Sequence, residues 1–307
     1  MPAFRAAPVR VRVPATSANL GPGFDSLGLA LGLYDDLAVR ITDDGISVDV
    51  HGEGADGASP VPRNAKHLVV RAMQATFNVL GGQPRGIELN CANRIPHGRG
   101  LGSSAAAICA GITAARALTL AGEQTIDDEA AFALANQLEG HPDNVAACLF
   151  GGLTIAWTAA GGVRAARLEP SRDIVPVVFV PPGQLATAKA RKLLPETVPH
   201  ADAAANAGRA ALLVEAMTRR PELLLDATED RLHQSYRAPA MKRSAVLIDK
   251  LRSAGIAATI SGAGPSVLAL TADGQAAAAR AMVPAGWVVL TPGMSGRGAH
   301  VVPVPEA

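Results

Sequence analysis

The sequence predicts an α+β protein in two halves. Three observations carry that reading: short runs of alternating hydrophobicity, longer alanine-rich segments with helical spacing, and a break in composition between Thr158 and Asp173. The chain has 307 residues, more than a single core normally needs. Hydrophobic residues at 49% and charged residues at 18% exclude a disordered chain. Lys and Arg total 28 against 27 Asp and Glu, with no basic stripe, which argues against binding that rests on neutralising nucleic-acid phosphates. Aromatic residues at 3% leave a core of Ala, Val, Leu and Ile and few platforms for stacking bases. Cys91, Cys109 and Cys148 are far apart in sequence and read as buried, inert thiols. The opening MPAFRAAPVR has no apolar core, and no run of about 18 apolar residues occurs. The expectation is a cytoplasmic protein that binds neither membrane nor nucleic acid.

The elements follow in order. VRVRVPA, Val9 to Ala15, alternates apolar and basic residues and predicts a half-buried strand. The glycines and Pro22 of the next stretch predict a loop, and Leu37 to Ile41 a second strand. Asp43 to Pro62 is rich in turn residues, with a strand at Ile46 to Val50. HLVVRAMQATFNVLGG predicts a helix stopped by Gly81, and GIELNCAN a strand. SSAAAICAGITAARALTL is apolar almost all round, as a buried helix is. TIDDEAAFALANQLEG predicts a helix with a Thr125-x-x-Asp128 capping box, ending near Gly140. GGLTIAW is a strand. The second half adds a strand at VPVVFVPP, helices over Ala201 to Met217 and Ala240 to Ala254, two strands around the glycine turn of AATISGAGPSVLAL, and a last strand at GWVVL. The division falls at 160/161, giving domains 1–160 and 161–307.

RIPHGRGLGSSAAA places three glycines directly before the buried helix. A helix N-terminus exposes unpaired N–H groups and partial positive charge, and glycines let a ligand approach the backbone closely. Together they form an anion site, most often for phosphate. The loop lacks the Gly-Lys-Ser/Thr of a Walker A motif and the acidic partner of a dinucleotide fingerprint. A third kind of phosphate loop, or a plain strand-to-helix turn, remains.

Pro96-x-x-x-Gly100-Leu101-Gly102-Ser103-Ser104-Ala105-Ala106 resembles the ATP-binding loop of the GHMP kinases. VPATSANLGPGFDSLGLAL, Val13 to Leu31, resembles the first motif of that superfamily in the form its homoserine kinase branch carries. LEGHPDNVA, Leu138 to Ala146, is similar to that branch's segment at substrate and metal. ISGAGPSVLAL, Ile260 to Leu270, resembles the third motif. The four lie in the family's order. The resemblance implies the two-domain GHMP kinase fold, an active site between an N-terminal ATP-binding domain (1–160) and a C-terminal domain (161–307), and a homodimer. It implies phosphoryl transfer from ATP, with Mg²⁺, to the side-chain hydroxyl of L-homoserine on the route to threonine.

It also implies roles for residues. Pro96, His97, Gly98, Arg99, Gly100, Leu101, Gly102, Ser103, Ser104, Ala105 and Ala106 hold the triphosphate. Ser103 and Glu139 are Mg²⁺ ligands; on the residues alone, Ser103 is also a helix N-cap and Glu139 a solvated carboxylate. Asn144 lies beside the homoserine hydroxyl. An amide cannot take up the hydroxyl proton at neutral pH, so that proton goes to the γ-phosphate or water, with Asp143 left open as structural support or as base. Asn19 and Asp25 meet the substrate, Asp25 at its ammonium. Arg191 and Arg237 bind the α-carboxylate, for which a guanidinium fork is suited. Thr187 lies near the phosphates. Gly262 and Gly264 let the third motif pack on the ATP loop. Two positions depart from the family pattern: Ala186 stands where many relatives have Ser, and His67 where relatives often have Asn near the adenine. Another GHMP-type small-molecule kinase, and a non-catalytic ATP-binding sensor of the same fold, are the rival readings.

Overall fold

Two sheets and two cores account for the chain. The computed structural model describes residues 2–56, 60–272 and 274–303. The part of the turn-rich Asp43–Pro62 stretch at 57–59 lies outside the described residues.

The first half supplies strands β1 (Val9–Ala18), β2 (Leu27–Thr42), β3 (Gly45–Gly52), β4 (Gly86–Asn93), β5 (Leu153–Ala159) and β6 (Gly162–Leu168). Its helices are α1 (Leu68–Val79), α2 (Ser103–Leu118), α3 (Gly122–Thr125), α4 (Asp128–Glu139) and α5 (Pro142–Phe150). Strand β1 behaves as its alternation predicts, with Val9, Val11 and Val13 buried and Arg10 and Arg12 half-buried. The loop expected before Leu37 is largely strand: β2 begins at Leu27. Glycines there serve close packing rather than a turn. A Cβ on Gly28 would lie 2.3 Å from the Asp143 carbonyl oxygen, and one on Gly32 2.2 Å from that of Pro292. Beyond a register shift at Pro14/Ala15, β1 continues beside β2, which pairs with β5 at one end and β4 at the other.

Helix α2 is buried for most of its length, as its apolar circumference predicts. Its alanines and Gly111 admit a close crossing with α1: a Cβ on Gly111 would meet the Val69 carbonyl oxygen at 2.5 Å. The helix stop at Gly81 and the end of α4 at Gly140 are left-handed glycines (φ +93° and +90°). The expected capping box is displaced. Asp127 is the N-cap of α4 and accepts a hydrogen bond from the Ala130 N–H, whereas the Thr125 hydroxyl closes α3 by bonding the Ala121 carbonyl.

The second half contains β7 (Val175–Val180), α6 (Thr187–Arg191), α7 (His200–Thr218), α8 (Leu224–Ala227), α9 (Gln234–Arg237), α10 (Lys242–Ser253), β8 (Ala257–Ile260), β9 (Val267–Thr271), α11 (Ala276–Ala281) and β10 (Val288–Leu290). Its sheet has the order β10-β7-β9-β8 and is antiparallel throughout. Alternation divides its side chains between two cores. Val177 and Phe179 meet Leu247 and Leu251 of α10, while Val178 and Val180 face the large core shared with the first half. The composition break at 158–173 falls on the β5–β6 hairpin of the first sheet, so the chain leaves that sheet after Leu168. A final strand, β11 (His300–Val302), returns to pair with β1. The first sheet thus runs β11-β1-β2-β4-β3, with β5 and β6 attached through β2.

The cap of α4 gives a direct check. Asp127→Ala is expected to lower the unfolding free energy by about 1 kcal/mol in urea titrations, and Thr125→Ala by clearly less.

Candidate active site

The cleft forms where the glycine-rich segment before α2, the first-motif loop and the third motif converge. Residues 94–102 leave β4 and enter α2. Asp35 of β2 fixes the entry by accepting the N–H groups of Arg94 (2.6 Å) and Ile95 (2.9 Å), and burial pushes its carboxyl up to about 6. Gly98, Gly100 and Gly102 all adopt positive φ. Gly102, not Ser103, is the N-cap of α2, in a left-handed conformation that places the Ser103 hydroxyl on the first turn. A Cβ on Gly102 would lie 1.9 Å from Thr16 Oγ1, and one on Gly100 2.2 Å from the Ser261 carbonyl oxygen.

Gly98, Gly100, Gly102, Ser103 and Ser104 line a cleft of about 190 Å³ together with Asn19, Asp25, Glu139, Asp143, Asn144, Thr187, Arg191 and Arg237. The other loop residues lie elsewhere. Leu101 and Ala105 are buried in the core and can face a ligand only through backbone amides. Arg99 points away and bonds the carbonyl oxygens of Pro181 and Pro182, both at 3.0 Å, tying the loop to the end of β7. His97, Ser103, Ser104 and Ala106 line a second, more apolar cavity of about 280 Å³ with Val61, Pro62, His67, Leu68 and Val69. The two cavities share Ser103 and Ser104.

The first-motif loop carries Asn19, Leu20 and Asp25 at φ +68°, +51° and +53°, a rare concentration of left-handed non-glycine backbone. Asn19 is buried; its amide donates to the Gly262 carbonyl and its Oδ1 accepts the Asp25 N–H. Asp25 and Arg191 form a bidentate pair at 2.7 and 2.9 Å on the cleft wall. This pair raises the Arg191 value. Arg237 is 1% exposed, and burial lowers its value. Thr187 opens α6, immediately after the N-cap Ala186.

Glu139 ends α4 and accepts the Ser104 hydroxyl at 2.7 Å; burial raises its carboxyl. It is therefore Ser104, not Ser103, that holds this carboxylate. Asp143 and Asn144 occupy the first turn of α5 behind Pro142, which lacks the N–H that a helix start leaves unpaired. Asp143 is buried and accepts the Asn144 N–H at 2.7 Å; burial, with the Asp25 charge added, pushes its carboxyl up to about 6. Asn144 Oδ1 accepts the hydroxyl of Thr16 at 2.8 Å, which turns its amide N–H₂ toward Asp143 at 3.3 Å. Burial lowers His141, which also borders the cleft.

The third motif packs on the loop as its glycines suggested. The Ser261 hydroxyl bonds the Gly100 carbonyl at 2.7 Å, and the Ser266 N–H bonds that of Arg99. Three contributors escaped the sequence reading. Thr16, which orients Asn144, lies within the first motif without a local pattern that marks it. Phe24 in the same motif and His233, buried behind Arg237, gave no local signal.

The arrangement presents backbone amides and hydroxyls for an anion beside an acid–base array for a zwitterion. Residues 67–152 match the GHMP kinases N terminal domain and residues 202–288 the GHMP kinases C terminal domain. A small-molecule kinase of the GHMP class is what this fold and this loop define. Homoserine kinase of Streptomyces coelicolor is 62% identical over 306 residues, spanning 100% of this chain and 98% of that protein. The crystal structure of homoserine kinase from Cytophaga hutchinsonii has a TM-score of 0.82 at 26% identity, covering 98% of this chain and 99% of that one. Mevalonate kinase of L. major shares the fold at a TM-score of 0.68 and 15% identity, covering 97% and 99%. The chain belongs to the homoserine kinase family of the GHMP kinases.

The Asp143 carboxyl sets a pH dependence. Its folded value, about 6, lies above the ordinary 3.8, so the folded chain holds the proton more tightly than the unfolded chain. That contribution to stability is present below about pH 4 and is lost as pH rises through about 6. Asp143→Asn keeps an acceptor for the Asn144 N–H and removes the titration. Denaturant unfolding is expected to show the variant gaining on the unaltered protein by up to about 3 kcal/mol between about pH 4 and about pH 7.

Proposed function

We infer that the protein transfers the γ-phosphoryl group of ATP to the side-chain hydroxyl of L-homoserine, releasing ADP and O-phospho-L-homoserine. Its family membership carries that reading; the opposed charges of Asp25 and Arg191 on one wall of the cleft support it, because they suit the ammonium and carboxylate of a free amino acid. A kinase for galactose or mevalonate has no α-ammonium to place there. The product is a phosphate ester of an amino acid, in keeping with a step toward threonine in the cytoplasm.

In this proposal the apolar cavity beside Leu68 and Val69 takes the adenine, and the triphosphate passes between Ser103 and Ser104 along the first turn of α2. Arg191 and Arg237 hold the α-carboxylate, Asp25 the ammonium, and Thr187 a phosphate oxygen. The donor set at Ser103 and Glu139 fits Mg²⁺. A hard cation of this kind takes oxygen ligands, and a carboxylate whose burial disfavours its charge gains from a cation. Mg²⁺ bound there would neutralise charge on the phosphate oxygens.

The chain's own groups then position rather than perform covalent chemistry. Asn144, locked by Thr16, offers N–H to the substrate hydroxyl oxygen and aims it at the γ-phosphorus. Its amide cannot accept the hydroxyl proton, and Asp143 is engaged by the Asn144 backbone. The proton therefore leaves to a phosphoryl oxygen or to water, with Asp143 supporting the turn.

A coupled assay of ATP consumption across L-homoserine, L-serine, galactose and mevalonate tests the reading; preference for either sugar or mevalonate would refute it. Arg191→Ala is expected to raise the KM for L-homoserine by about 30- to 100-fold, the loss of a charged hydrogen-bond pair, with the KM for ATP nearly unchanged. Glu139→Gln is expected to lower kcat by at least about 100-fold and to shift its Mg²⁺ dependence, measured by titrating the metal at saturating ATP.

A further inference from the structure

Arg237 poses a physical problem. It is 1% exposed, yet among the described residues it forms no ion pair. A second guanidinium, Arg191, lies close enough to lower its value further by like-charge repulsion. Burying a cation without an anion is costly, so something must keep this side chain in the cleft.

Its hydrogen-bonding partners are neutral, although the carboxylates of Asp25, Asp230 and Asp143 lie near enough to act on its charge. Arg237 Nη1 approaches the Gly262 carbonyl and His233 Nδ1, both at 3.3 Å. Its guanidinium carbon lies 5.3 Å from the centroid of the Phe24 ring, and that of Arg191 lies 5.8 Å from the same centroid. Both distances are within reach of the ring's negative face. His233 is fully buried and stacks on Phe24, with centroids 5.2 Å apart and planes at 29°. With Asp230 Oδ1 at 3.7 Å on the same side, its Nε2 lies 2.9 Å from the Gly21 carbonyl oxygen. That oxygen can only accept and an arginine can only donate, so the imidazole carries its proton on Nε2 and offers the lone pair of Nδ1 to Arg237. Neither Phe24 nor His233 lines the cleft.

We propose that Phe24 and His233 are positioning residues that hold Arg191 and Arg237 by a ring face and a lone pair, leaving Arg237 without a direct carboxylate partner and open to the substrate's α-carboxylate. A carboxylate in either place would hold the arginines as firmly but would neutralise them before substrate arrived. Asp25 bonds Arg191 directly, whereas the Arg237 Nε has no hydrogen-bond partner among the described residues and is left for the ligand. The inference rests on the homoserine reading and adds to it the means by which the cleft selects a carboxylate.

The test replaces Phe24 with 4-fluoro-, 3,5-difluoro- and 3,4,5-trifluorophenylalanine, which keep the ring's shape and progressively weaken its face. The KM for L-homoserine is expected to climb stepwise, reaching about tenfold at three fluorines. The KM for ATP, and the inhibition constant of 3-amino-1-propanol, which has the ammonium and hydroxyl without the carboxylate, stay unchanged. His233→Leu raises the same KM by about tenfold, and His233→Gln, which restores an acceptor, recovers most of it. A KM that is flat across the fluorine series, or an equal loss of affinity for 3-amino-1-propanol, would overturn the assignment while leaving the homoserine reading intact. Failure of the unaltered protein to phosphorylate L-homoserine would overturn both.

Discussion

No side chain fits where the glycine loop before α2 meets its neighbours, and the shape of the cleft depends on that exclusion. Gly102 lies against Thr16 of the first motif, and Gly100 lies against the Ser261 carbonyl of the third. These approaches bring three segments, distant in sequence, to one point. They also set the direction of α2, whose first amides then face the cleft. Hydrogen bonds from Ser261 and from the Ser266 N–H, together with the Arg99 side chain, tie the same loop to the second half. The loop's glycines permit close approach to an anion, but in place the loop is rigidly held. Under the proposed reading, such preorganisation would let the helix N-terminus meet phosphoryl charge without reorganising first.

The cleft carries features that work against stability elsewhere in a protein. Three non-glycine residues in the first-motif loop have left-handed backbone, Asp143 is a buried carboxyl pushed up to about 6, and Arg237 is a buried guanidinium with neutral partners. Such positions persist only where the surrounding structure over-determines them, and the buried residues of α2 belong to the large core that the two halves share. Strain and buried charge gathered in one cleft are what functional sites commonly show.

Much of the fold was legible in the residues. The alternation of Val9 to Val13, the all-round hydrophobicity of α2 and the glycine stops at Gly81 and Gly140 each report a local rule that the packed chain obeys. The misreadings have equally specific causes. Gly28 and Gly32 suggested a loop because flexible residues usually mark turns, but here they clear space for neighbouring carbonyl oxygens inside a 16-residue strand. Thr125 satisfied the spacing of a capping box, yet Asp127 lay nearer the start of the helix and took the cap. The composition break near 160 coincides with a hairpin exposed on the edge of the first sheet.

Sequence alone determined the glycine turn before α2, the family resemblance and the short set of polar residues that resemblance singles out, because these depend on residue types at fixed spacing along the chain. Tertiary structure decided what each of those residues touches. That Ser104 rather than Ser103 holds Glu139, that Thr16 orients Asn144, and that Phe24 lies beside two arginines 167 and 213 positions further along could not be read from local pattern. The reason is physical: hydrogen bonds and cation–π contacts act over a few ångströms in space, and only the packing of the two sheets brings those atoms within range.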